Sequence, residues 1–279
     1  MYTLQYASKE KIENITELVN EVFKDYVIPI NWTKESFLLD MAENSIILDH
    51  SQILYFGNEK LPIGFCITSA RGKRARIDSF GIKNEFRKTG ASYFLINNVF
   101  YDLAKKGFSS LQLEVESSQT RAVDFYIKNG FKISRTLDSF ILPEITSCHK
   151  FNYSLTCSKS SIHHNVLLKA KRSPNWQREI TSIQNSKKDY LMNQIRSKDK
   201  EIAKILWGRT EDTTYIVDIY QTDFTTEYSD IVQDAISFLS SFGKPLIIVS
   251  LPQNDPLNYV LLMSGSKIFL QQYEMILSI

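Results

Sequence analysis

The stretch Phe80–Ser92 constrains the fold most, because it joins a strand-like run to a helix-like run, Tyr93–Lys105, through a turn of small and basic residues. Such a turn brings backbone N–H groups together at a helix N-terminus, where the helix dipole favours an anion, most often a phosphate. Gly90 would let the backbone approach that ligand closely, and Arg87 and Lys88 would add positive charge. The same pattern is also typical of a glycine turn with no ligand, so this stretch alone leaves both interpretations open.

The composition is that of an ordinary globular protein. Of the 279 residues, 43% are hydrophobic and 23% are charged, enough for two modest domains or one large one. A net charge of +2 gives no indication of a nucleic-acid partner. The three cysteines, Cys66, Cys148 and Cys157, lack paired spacing, which favours reduced thiols and a cytoplasmic location. We predict no signal peptide, because Met1 is followed by neither a basic n-region nor an apolar h-region. We also predict no membrane span, since no apolar run approaches about 18 residues.

The first half of the chain alternates between strand and helix patterns. The predicted strands are Tyr2–Ala7, Ser45–Leu48, Gln52–Phe56, Leu61–Ser69, Ala75–Ile82, Leu111–Glu116, Phe131–Ile133 and Phe140–Leu142. The predicted helices begin after Ser8, at Thr33, at Tyr93 and at Arg121, with Ser8 and Thr33 as N-caps. The strands between Gln52 and Ile82 predict an antiparallel meander. The helix between Ile82 and Leu111 should make the strands on its two sides parallel neighbours.

Two segments on these elements resemble signatures of a known family. Phe86–Ser92 resembles the Arg/Gln-x-x-Gly-x-Gly/Ala pyrophosphate loop of the GNAT superfamily of N-acetyltransferases. Ala122–Phe131 is similar to that family's second signature, Ala-x-x-x-Tyr-x-x-x-Gly-Phe, and follows the first in the expected order. The resemblance implies an α/β fold with a mixed sheet and a CoA-binding acetyltransferase domain over residues 1–143. Ser92 and Gln119 depart from the family's pattern, in which Gly or Ala and Asn are usual.

The second half of the chain repeats this order of elements with almost no repetition of sequence. Residues 144–172 are polar and rich in Ser, which predicts a linker, and residues 173–279 would form a second domain. Its predicted strands are Lys188–Ile195, Ile202–Trp207, Tyr215–Tyr220, Leu246–Leu251, Ile268–Leu270 and Tyr273–Ile279, and its helices are Tyr228–Phe242 and Leu257–Met263. The stretch Phe23–Pro29 and the motif Pro174–Gln177 resemble a bacterial branch of the superfamily with a degenerate second GNAT-like domain in tandem.

The second domain lacks the sequence features that would bind CoA. Thr225–Ser229 stands where the phosphate loop should be, without a glycine and with the acidic Glu227. Leu261 stands at the position of Tyr126, counted back from the glycine that ends each helix. We therefore predict one cofactor site, in the first domain.

The resemblance implies acetyl-CoA as the cosubstrate and no metal ion. The residues that it places around the cofactor are Phe80, Gly81, Ile82, Arg87, Lys88, Thr89, Gly90, Ala91, Ser92, Gln119, Ala122 and Tyr126. The pyrophosphate would lie on the loop, and the pantetheine arm would pair with the strand segment Phe80–Ile82, which is also the candidate donor to the oxyanion. Tyr126 matches the family's general acid for the leaving thiolate, although a tyrosine there could also belong to the core.

The sequence names no single catalytic base. Glu116 is the first candidate, followed by Glu114 and Asp78, but each could equally be a solvated or paired carboxylate. The aromatic residues Tyr26 and Trp32 either line a substrate pocket or pack the first two helices together. The Cys and His residues of the predicted linker lack the spacing of metal ligands.

The leading hypothesis is an N-acetyltransferase that moves an acetyl group from acetyl-CoA to a primary amine of a small molecule or peptide. One alternative is a non-catalytic protein that binds or senses acyl-CoA. Another is transfer of a longer acyl group, or transfer to an acceptor that is not an amine. We expect no nucleic-acid or membrane partner, and either a monomer or a homodimer.

Overall fold

The structure is a computed structural model, and it describes residues 1–24, 31–143, 152–157 and 172–279. The chain divides into two compact units. The first consists of Met1–Val115, Arg121–Ser134 and the C-terminal Glu274–Ile279. The second consists of Glu116–Thr120 and Arg135–Tyr273. Each unit therefore takes in a short segment from a distant part of the sequence.

The first unit contains a mixed sheet and four helices among the described residues. Its elements are β1 (Tyr2–Tyr6), α1 (Ile12–Phe23), α2 (Lys34–Asn44), β2 (Gln52–Phe56), β3 (Leu61–Arg71), β4 (Arg74–Ile82), α3 (Ala91–Lys105), β5 (Ser110–Glu116) and α4 (Thr120–Lys128). β6 (Lys132–Ile141) begins in this unit, and β12 (Lys267–Ser278) ends in it. The strands β1 to β4 pair antiparallel in sequence, whereas β4 and β5 pair parallel, as predicted.

The second unit has the same order of meander, crossover helix and parallel strand. Its elements are β7 (Ser154–Cys157), α5 (Ile180–Asn185), β8 (Leu191–Ser197), β9 (Lys200–Arg209), β10 (Thr214–Gln221), α6 (Tyr228–Ser240), β11 (Leu246–Pro252) and α7 (Pro256–Met263). The strand order is β6-β11-β10-β9-β8-β7, with β10 and β11 parallel. The repetition confirms the predicted mixed α/β architecture.

Local sequence explains where the first two helices begin and which face of them is buried. α1 carries Ile15, Leu18, Val19 and Val22 at helical spacing, and all four are buried. Thr33 caps α2 as predicted: its hydroxyl accepts from the Ser36 N–H, and the Ser36 hydroxyl accepts from the Thr33 N–H.

The predicted cap at Ser8 is wrong. Ser8 lies in a short 3-10 turn, Ala7–Lys9, and α1 begins later, after Lys11. The described part of α1 ends at Phe23, and residues 25–30 lie outside the described residues.

Several predicted strands differ from the observed ones. Ser45–Leu48 is not a strand, because Ser45 ends α2 in the left-handed conformation (φ 62°) and only Ile46 forms an isolated bridge. The two pieces predicted between 131 and 142 form the single strand β6, and the two pieces predicted after 267 form β12. The predicted linker contains β7, which pairs with β8, while residues 144–151 and 158–171 lie outside the described residues.

Two glycines allow β3 and β4 to pack closely where β4 ends. A Cβ added at Gly64 would clash with Ile82 Cδ1 and lie 2.8 Å from the Gly81 carbonyl oxygen. A Cβ added at Gly81 would lie 2.6 Å from Val22 Cγ1, on the α1 face of the sheet. Larger residues at either position would therefore displace the C-terminal end of β4.

We expect Gly64→Ala to lower the free energy of unfolding by about 2 kcal/mol, because the neighbouring backbone cannot give way as a flexible side chain would. Urea unfolding measures this. Lys132→Ala, at an exposed position of β6, is the control. A loss for Gly64→Ala no larger than the control's would contradict the packing argument.

Candidate functional site

The two parallel strands of the first unit separate part of the way along their length. β4 and β5 pair from Arg74 with Ser110 to Ile77 with Leu113, and beyond this point β4 continues to Ile82 without a β5 partner among the described residues. A β-bulge lies at the same place, because the register of β4 on β3 skips Asp78. The result is a cleft that opens from Ile77 towards the end of β4.

The β4 backbone presents hydrogen-bonding groups to this cleft. The Lys83 N–H donates to the Ile63 carbonyl on β3 at 2.8 Å, so Gly81 and Ser79, at alternate positions, also face β3. By the same alternation, the N–H and C=O groups of Phe80 and Ile82 point into the cleft. An extended ligand lying there could pair with them as an added strand would.

The turn after β4 leads into the N-terminus of α3, where some backbone N–H groups have no intrahelical acceptor. Gly90 (φ 88°) is the N-cap of α3, and the preceding Lys88 also has a positive φ of 65°. The first backbone hydrogen bond of α3 runs from the Phe94 N–H to the Gly90 carbonyl, at 2.9 Å. The N–H groups of Ala91 and Ser92 therefore have no intrahelical acceptor and can bind an anion.

Side chains on both sides hold this turn in place. The Arg87 Nε donates to the Ile82 carbonyl at 3.1 Å, which ties the loop to the end of β4. The Thr89 hydroxyl donates to the Phe86 carbonyl at 2.7 Å, and the Tyr2 hydroxyl donates to the Thr89 carbonyl at 3.3 Å. The loop is thus fixed before any ligand arrives, which lowers the entropy cost of binding.

One face of the cleft is aromatic. Tyr126 on α4 is 9% exposed, and its ring lies against those of Phe80, Phe125 and Phe131 at centroid distances of 6.4, 5.4 and 5.6 Å. Ala122 lies one turn earlier on the same helix and is half-buried. Phe80 thus points to the α4 face of the sheet, opposite to Gly81, whose position faces α1.

The other face carries buried charges at the point where the strands separate. Asp78 accepts hydrogen bonds from the Arg76 guanidinium and the Ser69 hydroxyl. Arg76 Nη2 also lies 3.6 Å from Glu114 Oε2, and the side chains of Arg76, Asp78 and Glu114 are 6%, 7% and 3% exposed. Burial raises the pKa of Asp78 to about 7, with Arg76 opposing this rise and Glu114 adding to it.

The remaining predicted site residues are placed as follows. Glu116 and Gln119 belong to the segment grouped with the second unit, and the Glu116 carboxylate accepts from the Ser118 hydroxyl at 2.5 Å. Trp32 packs on Phe37, with ring centroids 4.8 Å apart, and its backbone is held by the Asn20 amide. Tyr26 lies outside the described residues.

The corresponding cleft in the second unit is filled by the chain's own side chains. β10 and β11 pair only from Thr214 to Tyr215, and β10 has a register shift between Ile216 and Asp218, so the same separation and bulge recur. Ile219 corresponds to Phe80, two residues after the bulged position. Its carbonyl accepts from Arg172 Nη1 at 3.0 Å and from the Tyr228 hydroxyl at 2.8 Å.

Arg172 is held at this position by two carboxylates. Its Nη2 lies 2.6 Å from Asp255 Oδ1, its Nε donates to the other oxygen at 2.9 Å, and its Nη1 lies 2.8 Å from Asp218 Oδ1. The turn before α6 is also closed on itself, because Asp223 accepts from the N–H and hydroxyl of Thr225. These contacts occupy groups that a cofactor would need.

We expect Arg172→Met to lower the free energy of unfolding by about 3 kcal/mol, because it removes the nearest cation from the buried Asp255 and leaves Asp218 with Arg178, 3.4 Å away. Arg209→Met, at an exposed strand end, is the control. Urea unfolding of the two variants side by side measures the difference. Equal stability of the two variants would show that the Arg172 contacts contribute little.

Sequence reasoning predicted the loop and Tyr126 as parts of the site, but it missed two features of these clefts. The bulge that turns Asp78 inward depends on strand register, which no local pattern specifies. Arg172 fell in a segment predicted as linker, and only its long-range contacts reveal its position. The buried carboxylate at Asp78 had a sequence signal, its place inside an apolar strand.

The comparisons with known proteins agree with this geometry. Residues 12–131 match the sequence profile of the acetyltransferase (GNAT) family. A tandem GNAT protein from the clavulanic acid biosynthesis pathway has a similar fold, with a TM-score of 0.69 at 10% identity over 100% of this chain and 98% of that one. A GCN5-related N-acetyltransferase from Sphaerobacter thermophilus gives a TM-score of 0.69 at 9% identity, covering 99% of this chain and 95% of its own.

A GCN5-related N-acetyltransferase from Anabaena variabilis gives a TM-score of 0.63 at 18% identity, over 99% of this chain and 72% of that one. No curated protein sequence matches the chain. Residues 12–131, which include the candidate site, are thus similar to the acetyltransferase (GNAT) family, and the full chain has the fold of a tandem GNAT protein. Within the described ranges, no helix is long and apolar enough to cross a membrane.

Proposed function

We propose that the protein is an acyl-CoA-dependent N-acetyltransferase that transfers an acetyl group to a primary amine of a small molecule or peptide. The observation that supports this most is the continuous path along the first unit's cleft. It runs from the N–H groups at the start of α3, past the backbone N–H groups of Ile82 and Phe80 that do not face β3, to the point where β4 and β5 meet.

Each part of this path matches a part of CoA. The N–H groups from Lys88 to Ser92 would hold the pyrophosphate, with Arg87 and Lys88 supplying positive charge. The backbone of Phe80 and Ile82 would pair with the amides of the pantetheine arm. The thioester would then lie near the bulge at Asp78, where a backbone N–H can stabilise the oxyanion.

The residue that gives a proton and the residue that takes one lie on opposite faces of the cleft. Tyr126, on the α4 face, gives a proton to the thiolate as the C–S bond breaks and the new C–N bond forms. Asp78, on the α1 face, takes the first proton from the ammonium, which frees the nitrogen lone pair. The second nitrogen proton restores Tyr126, and the proton on Asp78 leaves to solvent. Ammonium ion and thioester become amide, thiol and one released proton.

We propose Asp78 as the base in place of Glu116, the first candidate from sequence. Asp78 is buried in the first unit with a pKa raised to about 7, close to the working pH that a base requires. Glu116 belongs to the segment grouped with the second unit. The filled cleft around Arg172 supports a second proposal, that each chain binds a single CoA.

Thiol release from acetyl-CoA in the presence of a set of primary amines tests the function. We expect at least one amine to accelerate release well above hydrolysis, with the acetyl group found on that amine by mass spectrometry. Acetyl-CoA that binds without any amine-dependent release would favour the non-catalytic alternative. Faster thiol release from an acyl-CoA with a longer acyl chain would show that acetyl-CoA is not the preferred acyl donor.

A further inference from the structure

The charge at the point where β4 and β5 separate is unbalanced. Asp78 and Glu114 are two carboxylates on one guanidinium, Arg76, and all three side chains are at least nine-tenths buried. The other charged groups that face Arg76 and Asp78 are Asp40 on α2, Glu274 on β12 and Arg71 on β3. Arg71 also lowers the pKa of Asp78, so this group of charges comprises four carboxylates and two guanidiniums.

A buried hydroxyl beside this cluster has no hydrogen-bond partner. Ser79 is 7% exposed, and its Oγ pairs with no group in the described part of the chain. Because the bulge turns Asp78 and Ser79 to the same face of β4, the hydroxyl lies next to the carboxylate. A buried, unpaired hydroxyl is costly, and a ligand that hydrogen-bonds there would remove that cost.

We propose that the acceptor is an alkylamine that enters as an ammonium ion and carries no carboxylate beside its amine. This inference rests on the proposed function and concerns the α1 face of the same cleft. An ammonium ion placed between Asp78, Glu114 and Ser79 neutralises the excess negative charge and satisfies the hydroxyl. An α-amino acid would bring a third carboxylate into the cluster, and an arylamine would arrive without a charge.

Two matched pairs of amines test this class with acetyl-CoA as donor. Norleucine is pentylamine with a carboxylate on the carbon that bears the amine, and aniline is the uncharged aromatic counterpart of cyclohexylamine. We expect kcat/KM for pentylamine to exceed that for norleucine by about 100-fold or more, and cyclohexylamine to be preferred over aniline. Each rate is measured as thiol release at a fixed pH of 8.

Glu114→Gln separates the electrostatic explanation from a steric one. Removing one negative charge should shrink the ratio of pentylamine to norleucine by about tenfold, since repulsion of the norleucine carboxylate weakens. Calorimetric binding of CoA checks that the variant is folded and keeps its cofactor site. A ratio that stays the same in a folded variant would overturn the assignment of Glu114 to acceptor selection.

The inference and the proposed function fail in different ways. Preference for norleucine or aniline would overturn the alkylamine class while leaving acyl transfer intact. Failure of all four amines, together with a wider set, to accelerate thiol release would overturn the proposed function itself.

Discussion

Replacing Tyr126 with Phe is expected to lower kcat for amine acetylation by about 100-fold and to leave the KM for acetyl-CoA nearly unchanged. The phenol hydroxyl is the group that would give a proton to the thiolate, so its loss affects only the step in which the C–S bond breaks. The ring itself packs on Phe80 and Phe131, and Phe preserves those contacts. Stopped assays of thiol release at saturating acetyl-CoA measure the change.

The control for this variant is Tyr101→Phe, a tyrosine that is 71% exposed on the outer face of α3. It should leave kcat as it is in the unaltered protein. If Tyr126→Phe also retains full kcat, then Tyr126 acts as a core tyrosine. The alternative interpretation of the sequence would then be the correct one.

Replacing Asp78 with Asn is expected to lower kcat/KM by about 100-fold near pH 8 and to change the shape of the pH profile. With Asp78 present, activity should rise with pH through about 7, where this carboxyl loses its proton. Asn cannot take a proton, so that rise should disappear. Glu116→Gln is the matched control, and a profile that loses its rise there would return the role of base to Glu116.

The same carboxyl makes stability depend on pH in a definite direction. Its pKa is about 7 in the folded protein, compared with an ordinary value of 3.8, so the folded state holds the proton more tightly. The free energy of unfolding should therefore fall as pH rises from about 4 to about 7, and the slope should be smaller in Asp78→Asn. Urea unfolding at several pH values measures this slope. A slope equal in both proteins would contradict the raised pKa.

Much of the fold could be predicted because its determinants are local. The periodicity of α1 and the Thr33 cap needed only neighbouring residues. The apolar residues of Ser45–Leu48 predict a strand, and this prediction is wrong. Ser45 ends α2 in the left-handed conformation, which prevents extended pairing. The sequence predicts two short strands in place of β6 and two in place of β12, because polar residues interrupt the apolar pattern of each.

Some parts of the candidate site are likewise specified by local sequence, whereas others depend on the tertiary fold. The loop and the helix of Tyr126 are short contiguous motifs, so the sequence alone could predict both as parts of the site. The burial of Asp78 beside Arg76 depends on a bulge and on pairing with distant strands, and Arg172 lies 47 residues from the carbonyl that it binds. Such contacts are set by the tertiary fold, and periodicity carries no information about them.

The central claim is that one cleft, in the first unit, binds the cofactor. Calorimetric titration of CoA into the protein and into the Arg87→Glu/Lys88→Glu variant tests it most directly. We expect one site per chain in the unaltered protein and at least about a tenfold loss of affinity in the variant, because both substitutions reverse charge beside the pyrophosphate. Two sites per chain, or one site with equal affinity in both proteins, would contradict the account.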